Sequence, residues 1–107
     1  MIIGTRMAPG CLLLAIALSS ASAHAENALA AKYGCLGCHA SASKLVGPAY
    51  QDVAAKYADD KQAVEHLVAS IRNGGSGRWG DMAMPPQPQV KEADAKKLAA
   101  WILAGAK

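Results

Sequence analysis

Apolar residues recur with a helical period through most of this chain and with no period in one long stretch. Val64, Leu67, Val68 and Ile71 fall at i, i+3, i+4 and i+7, the stripe of an amphipathic helix that Asp59 or Asp60 caps and Asn73-Gly74 ends. Leu98, Trp101, Ile102 and Gly105 share one side of a second helix running from Glu92 to Gly105, with acidic residues early and lysines mid-course. Lys91 stands where a Ser, Thr or Asp cap is wanted, which leaves that helix prone to fraying in its first turn. Two shorter helices are expected, one capped by Asn27 and running through Leu29 and Tyr33 to Gly34, the other over Ala49 to Lys56 after Gly47-Pro48. From Gly74 to Pro88 glycines and prolines erase any period. A phosphate loop would need a Lys-Ser/Thr pair after it and a strand before it, and neither is there, so a wrap around a ligand is the expected role. No run of β-branched or aromatic residues reads as a strand, and the fold class is all-α.

The first 25 residues differ in composition from the rest. Arg6 is their only charge, Cys11 to Leu18 form a short apolar run, and small residues lead to Ala23-His24-Ala25. That order matches a secretory signal peptide, with an apolar run far short of the roughly 20 residues a membrane-spanning helix needs. The division expected is therefore 1–25 as leader and 26–107 as one domain. Cleavage after Ala25 also removes Cys11, leaving an exported chain with two cysteines, Cys35 and Cys38, and no structural disulfide, which fits thiols committed to other bonds.

Charge and composition narrow the function. Eleven basic against eight acidic side chains give a formal net charge of +3, scattered along the chain and too mild to argue for nucleic acid. The chain has no Phe, and its aromatics are Tyr33, Tyr50, Tyr57, Trp79 and Trp101. A domain this small, filled mostly by Ala, Val, Leu and Ile, gains from a large flat apolar body at its centre.

Cys35-Leu36-Gly37-Cys38-His39 supplies the attachment point for such a body. Two thiols separated by two residues, with an imidazole directly after, read as a c-type haem attachment site, in which a short bend sets two sulfurs under neighbouring vinyl groups and His39 points at the iron. A zinc site normally wants four N/S ligands, and outside the pentad only Cys11, His24 and His66 are on offer. A thioredoxin-like dithiol wants a βαβ unit beside it. The five-residue motif alone is short enough to arise by chance, so its context decides.

The second axial ligand separates a sealed electron carrier from an open, reactive haem. Met/His pairing is one standard arrangement. In the exported chain only Met82 and Met84 are available, both in the irregular stretch. Met84 is favoured because Pro85 biases it towards extended backbone and the prolines that follow stiffen the loop. Met82, His66 and an open position are the alternatives.

Cys35 to His39, Leu45-Val46-Gly47-Pro48-Ala49-Tyr50, Asp52 to Lys56, Ile71-Arg72-Asn73-Gly74, Trp79-Gly80, Met84-Pro85-Pro86 and Trp101 together resemble the bacterial cytochrome c-551 (c8) group of small class I monohaem cytochromes c. The resemblance covers essentially all of the exported chain. It implies a small cytochrome c fold of about four helices around one haem c bound covalently through Cys35 and Cys38, with His39 and Met84 on the iron. It also implies that the Pro48 carbonyl accepts from the other ring nitrogen of His39, and that Trp79, with Arg72 nearby, partners a haem propionate. Gln87 stands where relatives often carry an Asn bonded to the methionine sulfur.

The function so implied is a monomeric periplasmic carrier, not an enzyme, passing single electrons between redox proteins such as a bc1-type donor and a nitrite reductase or terminal oxidase. It binds no nucleic acid and keeps no membrane insertion after leader cleavage. The rival is a haem enzyme or gas-binding protein with a labile Met84, against which stands the lack of a distal His-Arg pair suited to peroxide chemistry. A third possibility is a dedicated subunit of one oxidoreductase complex.

Overall fold

The computed structural model describes Gly4, Gly10 and residues 19–107. Four α-helices account for its regular structure: α1 Ser19–Lys32, α2 Tyr50–Lys56, α3 Ala63–Asn73 and α4 Glu92–Leu103. Among the described residues there is no strand, only two isolated backbone bridges, His39 with Lys44 and Gly75 with Met84. The apolar run Cys11 to Leu18 lies outside the described residues.

α4 is the element against which α1, α2 and α3 all pack. Its inward face is Ala95, Leu98, Ala99, Trp101 and Ile102, which meets Leu67 and Ile71 of α3, Tyr50 and Val53 of α2 and Ala30 of α1 in one continuous core. Each large side chain buried there stabilises the fold by about 1.5–3 kcal/mol. The stripe expected on α3 faces this core with a small rotation. Leu67 and Ile71 are buried with Ala63, while Val64 and Val68 pack at its margin.

The helix ends differ from the sequence reading in instructive ways. α1 does not start at Asn27. It runs back to Ser19, because Ser19 to Glu26 is rich in alanine and contains no breaker. α3 begins at Ala63, later than a direct Asp59 or Asp60 cap would give. Asp60 instead accepts from the Gln62 backbone N–H at 2.8 Å in the turn before the helix. The first turn of α4 is formed despite Lys91, and the Tyr33 hydroxyl donates to Asp94 in that turn at 2.6 Å, tying α1's end to it. Hydrogen bonding to Asp94 is also the main reason the Tyr33 hydroxyl is raised above its ordinary pKa. α2 has no side-chain cap, yet two of the free N–H groups of its first turn are satisfied: Tyr50 donates to the Ala40 carbonyl at 2.9 Å and Gln51 to the Ser41 carbonyl at 3.0 Å. Those two bonds press the segment that follows the Cys35–His39 pentad against the start of α2.

Candidate functional site

The pentad is a single turn of 3-10 helix over Cys35–Gly37, entered through Gly34 in the left-handed region at φ 77°. The Cys35 carbonyl accepts from both the Cys38 N–H at 3.2 Å and the His39 N–H at 3.0 Å, so one carbonyl closes the turn that carries both cysteines and the imidazole. Both are free thiols, Cys35 half-buried and Cys38 exposed. Burial pushes the Cys35 thiol up, and burial together with that thiol raises the Tyr50 hydroxyl.

His39 is held on three sides. Its Nδ1 lies 2.8 Å from the Pro48 carbonyl oxygen. A carbonyl can only accept, so Nδ1 carries the hydrogen and Nε2 is left with its lone pair for a metal. The ring stacks on Tyr50 with centroids 5.0 Å apart and planes 16° from parallel, and Tyr50 is braced edge-on by Trp101 at 5.4 Å. On a third side stands Gly47, where a Cβ would come within 2.3 Å of the His39 Cε1. The Gly47 N–H donates to the Cys38 carbonyl at 2.7 Å, which locks that approach in place.

Met84 comes to the same cavity from the irregular stretch. Its N–H donates to the Gly75 carbonyl at 2.8 Å and its carbonyl accepts from the Gly75 N–H at 3.1 Å, so the loop is pinned across the C-terminal end of α3. Gly74 makes the crossing possible: its φ is 71°, and a Cβ there would meet the Met84 carbonyl oxygen at 2.5 Å. Met84 is half-buried, whereas Met82 is 63 % exposed. Gln87 is fixed through its backbone N–H to the Ile71 carbonyl at 2.9 Å, and its side-chain amide donates to the Pro85 carbonyl at 3.3 Å.

Cys35, Cys38, His39, Pro48, Trp79 and Met84 all line one cavity of about 590 Å³, within the range of small-molecule and cofactor sites. Arg72 does not join them. Its Nε donates to the Val90 carbonyl at 3.2 Å, on the side of α3 that meets the approach to α4, because the helical period turns residue 72 away from the face that carries Ile71. The guanidinium that does line the cavity is Arg78. His66 also lines it, but its Nδ1 is bonded to Asp60 at 2.5 Å. Asp60 is held below the usual carboxylate range, first by the Gln62 N–H and then by His66.

The residues present fit a haem. The cavity wall offers two unpaired thiols at one end, an imidazole already in the metal-binding tautomer, and a thioether on a pinned loop. The family model for cytochrome c matches residues 25–106. The chain belongs to the cytochrome c family. It is 50% identical over 92 residues to cytochrome c-552 of Hydrogenobacter thermophilus, covering 86% of this chain and 93% of that one. With cytochrome c-551 of Allochromatium vinosum it shares 51% identity over 82 residues, 77% of this chain and 87% of the other. The crystal structure of wild-type Nitrosomonas europaea cytochrome c552 superposes with a TM-score of 0.73 at 49% identity, covering 74% of this chain and 98% of that one. As a class I monohaem cytochrome c, the chain carries covalently attached haem c, with Cys35 and Cys38 at the CxxCH thiol positions.

Several residues that shape this cytochrome's cavity were not singled out by pattern. Gly47 and Gly74 read only as punctuation, although each sits where a neighbouring backbone or ring leaves no room for a side chain. Lys56 reads as the end of a helix, yet its ammonium lies 4.2 Å from the centre of the Trp79 ring and donates to the Arg78 carbonyl. Tyr57 follows it, accepting from Arg78 Nη1. No sequence period could reveal these contacts, since they join α2 to a loop more than twenty residues away.

Proposed function

We propose that this cytochrome is an exported, periplasmic carrier that passes single electrons between redox proteins, with His39 and Met84 as the two axial ligands of its iron and no enzymatic reaction of its own. The observation that carries the reading is the Nδ1 contact of His39 with the Pro48 carbonyl, which leaves Nε2 available, in the same cavity as a loop-pinned Met84. Haem c, when bound, supplies the one-electron couple. The chain's own residues supply two fixed ligands, an apolar cage and exclusion of water, so the site changes little between oxidation states. Residues 1–25 act in this reading as a cleaved secretory leader. In support, the family match begins at residue 25. Electrons enter and leave by the thioether edge, where Cys38 is exposed and Leu36, Leu45 and Val46 expose 37 %, 49 % and 53 % of their surfaces. Such a surface suits small, transient contacts with partners.

The test is the matured holoprotein and its Met84→Ala variant, compared by absorption and by carbon monoxide binding in the reduced state. The wild type shows the weak long-wavelength sulfur-to-iron band and resists carbon monoxide at neutral pH, and the variant loses the band and binds the gas. A band that survives in Met84→Ala moves the ligand to Met82, and ready carbon monoxide binding by the wild type overturns the sealed-carrier reading.

A further inference from the structure

Tyr57, seven residues after Tyr50 and the first residue beyond α2, also lines the cavity. At 1.5 Å per residue the two tyrosines are separated by about 10 Å along the helix, about the width of a porphyrin. The Tyr50 end is the thiol end, since Tyr50 stacks on His39, the residue next to Cys38. A haem anchored there by its vinyl groups would carry its two propionates on the side of the macrocycle away from the thiols, where Tyr57 and Arg78 line the cavity. What waits there is a cationic clasp. Arg78 Nη1 donates to the Tyr57 hydroxyl, Lys56 donates to the Arg78 carbonyl, and the Lys56 ammonium stacks on Trp79. Arg78 uses one of its five N–H donors on Tyr57 and makes no ion pair with a carboxylate among the described residues. The carboxylate of this end, Asp60, is committed to Gln62 and His66.

We propose that Arg78, positioned by Tyr57 and Lys56, is the guanidinium that binds a haem propionate in this cytochrome, a role that Arg72 cannot fill from its place against Val90. The proposal rests on the haem reading but not on which residue is the distal ligand. A guanidinium offers a carboxylate a paired, planar set of donors and leaves the Tyr57 contact intact. Its positive charge offsets the propionate's negative one and so favours the ferrous state.

The experiment compares matured wild-type, Arg78→Leu and Arg72→Leu holoproteins, each of which loses at most one positive charge. Two quantities are read: the reduction potential at neutral pH and low salt, and the propionate carboxylate stretch in the redox-difference infrared spectrum. In Arg78→Leu the reduced-to-oxidised ratio at a fixed poise falls two- to fivefold, about 20–40 mV for one electron, in keeping with a partly exposed ion pair. The carboxylate band moves at the same time. Arg72→Leu changes the ratio by less than about 1.5-fold, the size of a screened surface charge, and leaves the band in place. Equal potential shifts in the two variants, or an unmoved carboxylate band in Arg78→Leu, overturns the assignment. Absence of the sulfur-to-iron band in wild type would instead count against Met84 ligation, and leaves this comparison fully readable.

Discussion

Replacing Gly47 with alanine tests whether the imidazole slot is as tight as its geometry states. The added Cβ would stand 2.3 Å from His39 Cε1 and 2.8 Å from both ring nitrogens, against about 3.4 Å for ordinary contact. The ring must therefore give by about 1 Å. It cannot retreat along its own axis, because Cε1 lies at the ring's outer edge and its inner end is tethered to the backbone. It cannot tilt back freely either, since Tyr50 stacks behind it and is wedged by Trp101. The remaining motion swings Nδ1 off the Pro48 carbonyl, now at 2.8 Å, beyond hydrogen-bond reach. Losing that bond costs about 1–3 kcal/mol, and overpacking the slot costs about 1–3 kcal/mol more. For a domain of this size a total of about 2–6 kcal/mol corresponds to a fall in Tm of roughly 8–48 °C. The assay is thermal unfolding of matured Gly47→Ala holoprotein by circular dichroism, with solvent exchange of the His39 Nδ1 proton in the reduced protein read by NMR. A Tm within about 3 °C of wild type, less than 1 kcal/mol by the same conversion, together with unchanged protection of that proton would refute the reasoning.

Two further expectations follow from the same geometry and from the charges beside it. Gly74→Ala places a side chain at φ 71° and 2.5 Å from the Met84 carbonyl oxygen, so the loop must lift, and the variant shows a weakened sulfur-to-iron band at neutral pH in absorption spectra. Asp60 has a folded pKa below its unfolded value of about 4, so its stabilising effect is present above that value and fades as pH falls through the folded one. Melting curves taken from neutral pH down through the acid range should therefore show Asp60→Asn less stable at neutral pH and converging with wild type in acid. Curves that stay parallel sink this attribution.

The parts of this cytochrome legible in sequence are those set by local chemistry. The pentad carries its own bend, α3 and α4 carry their own stripes, and Met84 is marked by the prolines after it. Pro48 and Trp79 were reachable only through resemblance, and both line the cavity. Arg72 shows the limit of that route. It belongs to a matching run of residues, yet the helical turn from Ile71 carries it round to Val90, while Arg78 in the unpatterned loop reaches the cavity instead. The starts of α1 and α3 differ from the sequence reading, which rested on a side-chain cap in each. α1 continues through Asn27 because nothing before it stops a helix, and α3 begins at Ala63, past the Asp59-Asp60 pair.

A common device holds the two proposed ligands. Neither His39 nor Met84 lies in an α-helix, and each takes part in one of the two isolated backbone bridges, with Lys44 and with Gly75. Each also has a glycine pressed against it, and of the described glycines Gly47 and Gly74 are the two at which an added Cβ would fall below 3.0 Å from a neighbour. A ligand on a helix would move with that helix whenever packing adjusts. A ligand in a short bridged loop, backed by a close glycine, is fixed by backbone hydrogen bonds that do not depend on how the helices settle. Because electron transfer is fast only when the surroundings of the iron change little between oxidation states, this rigidity belongs at the ligands more than in the core.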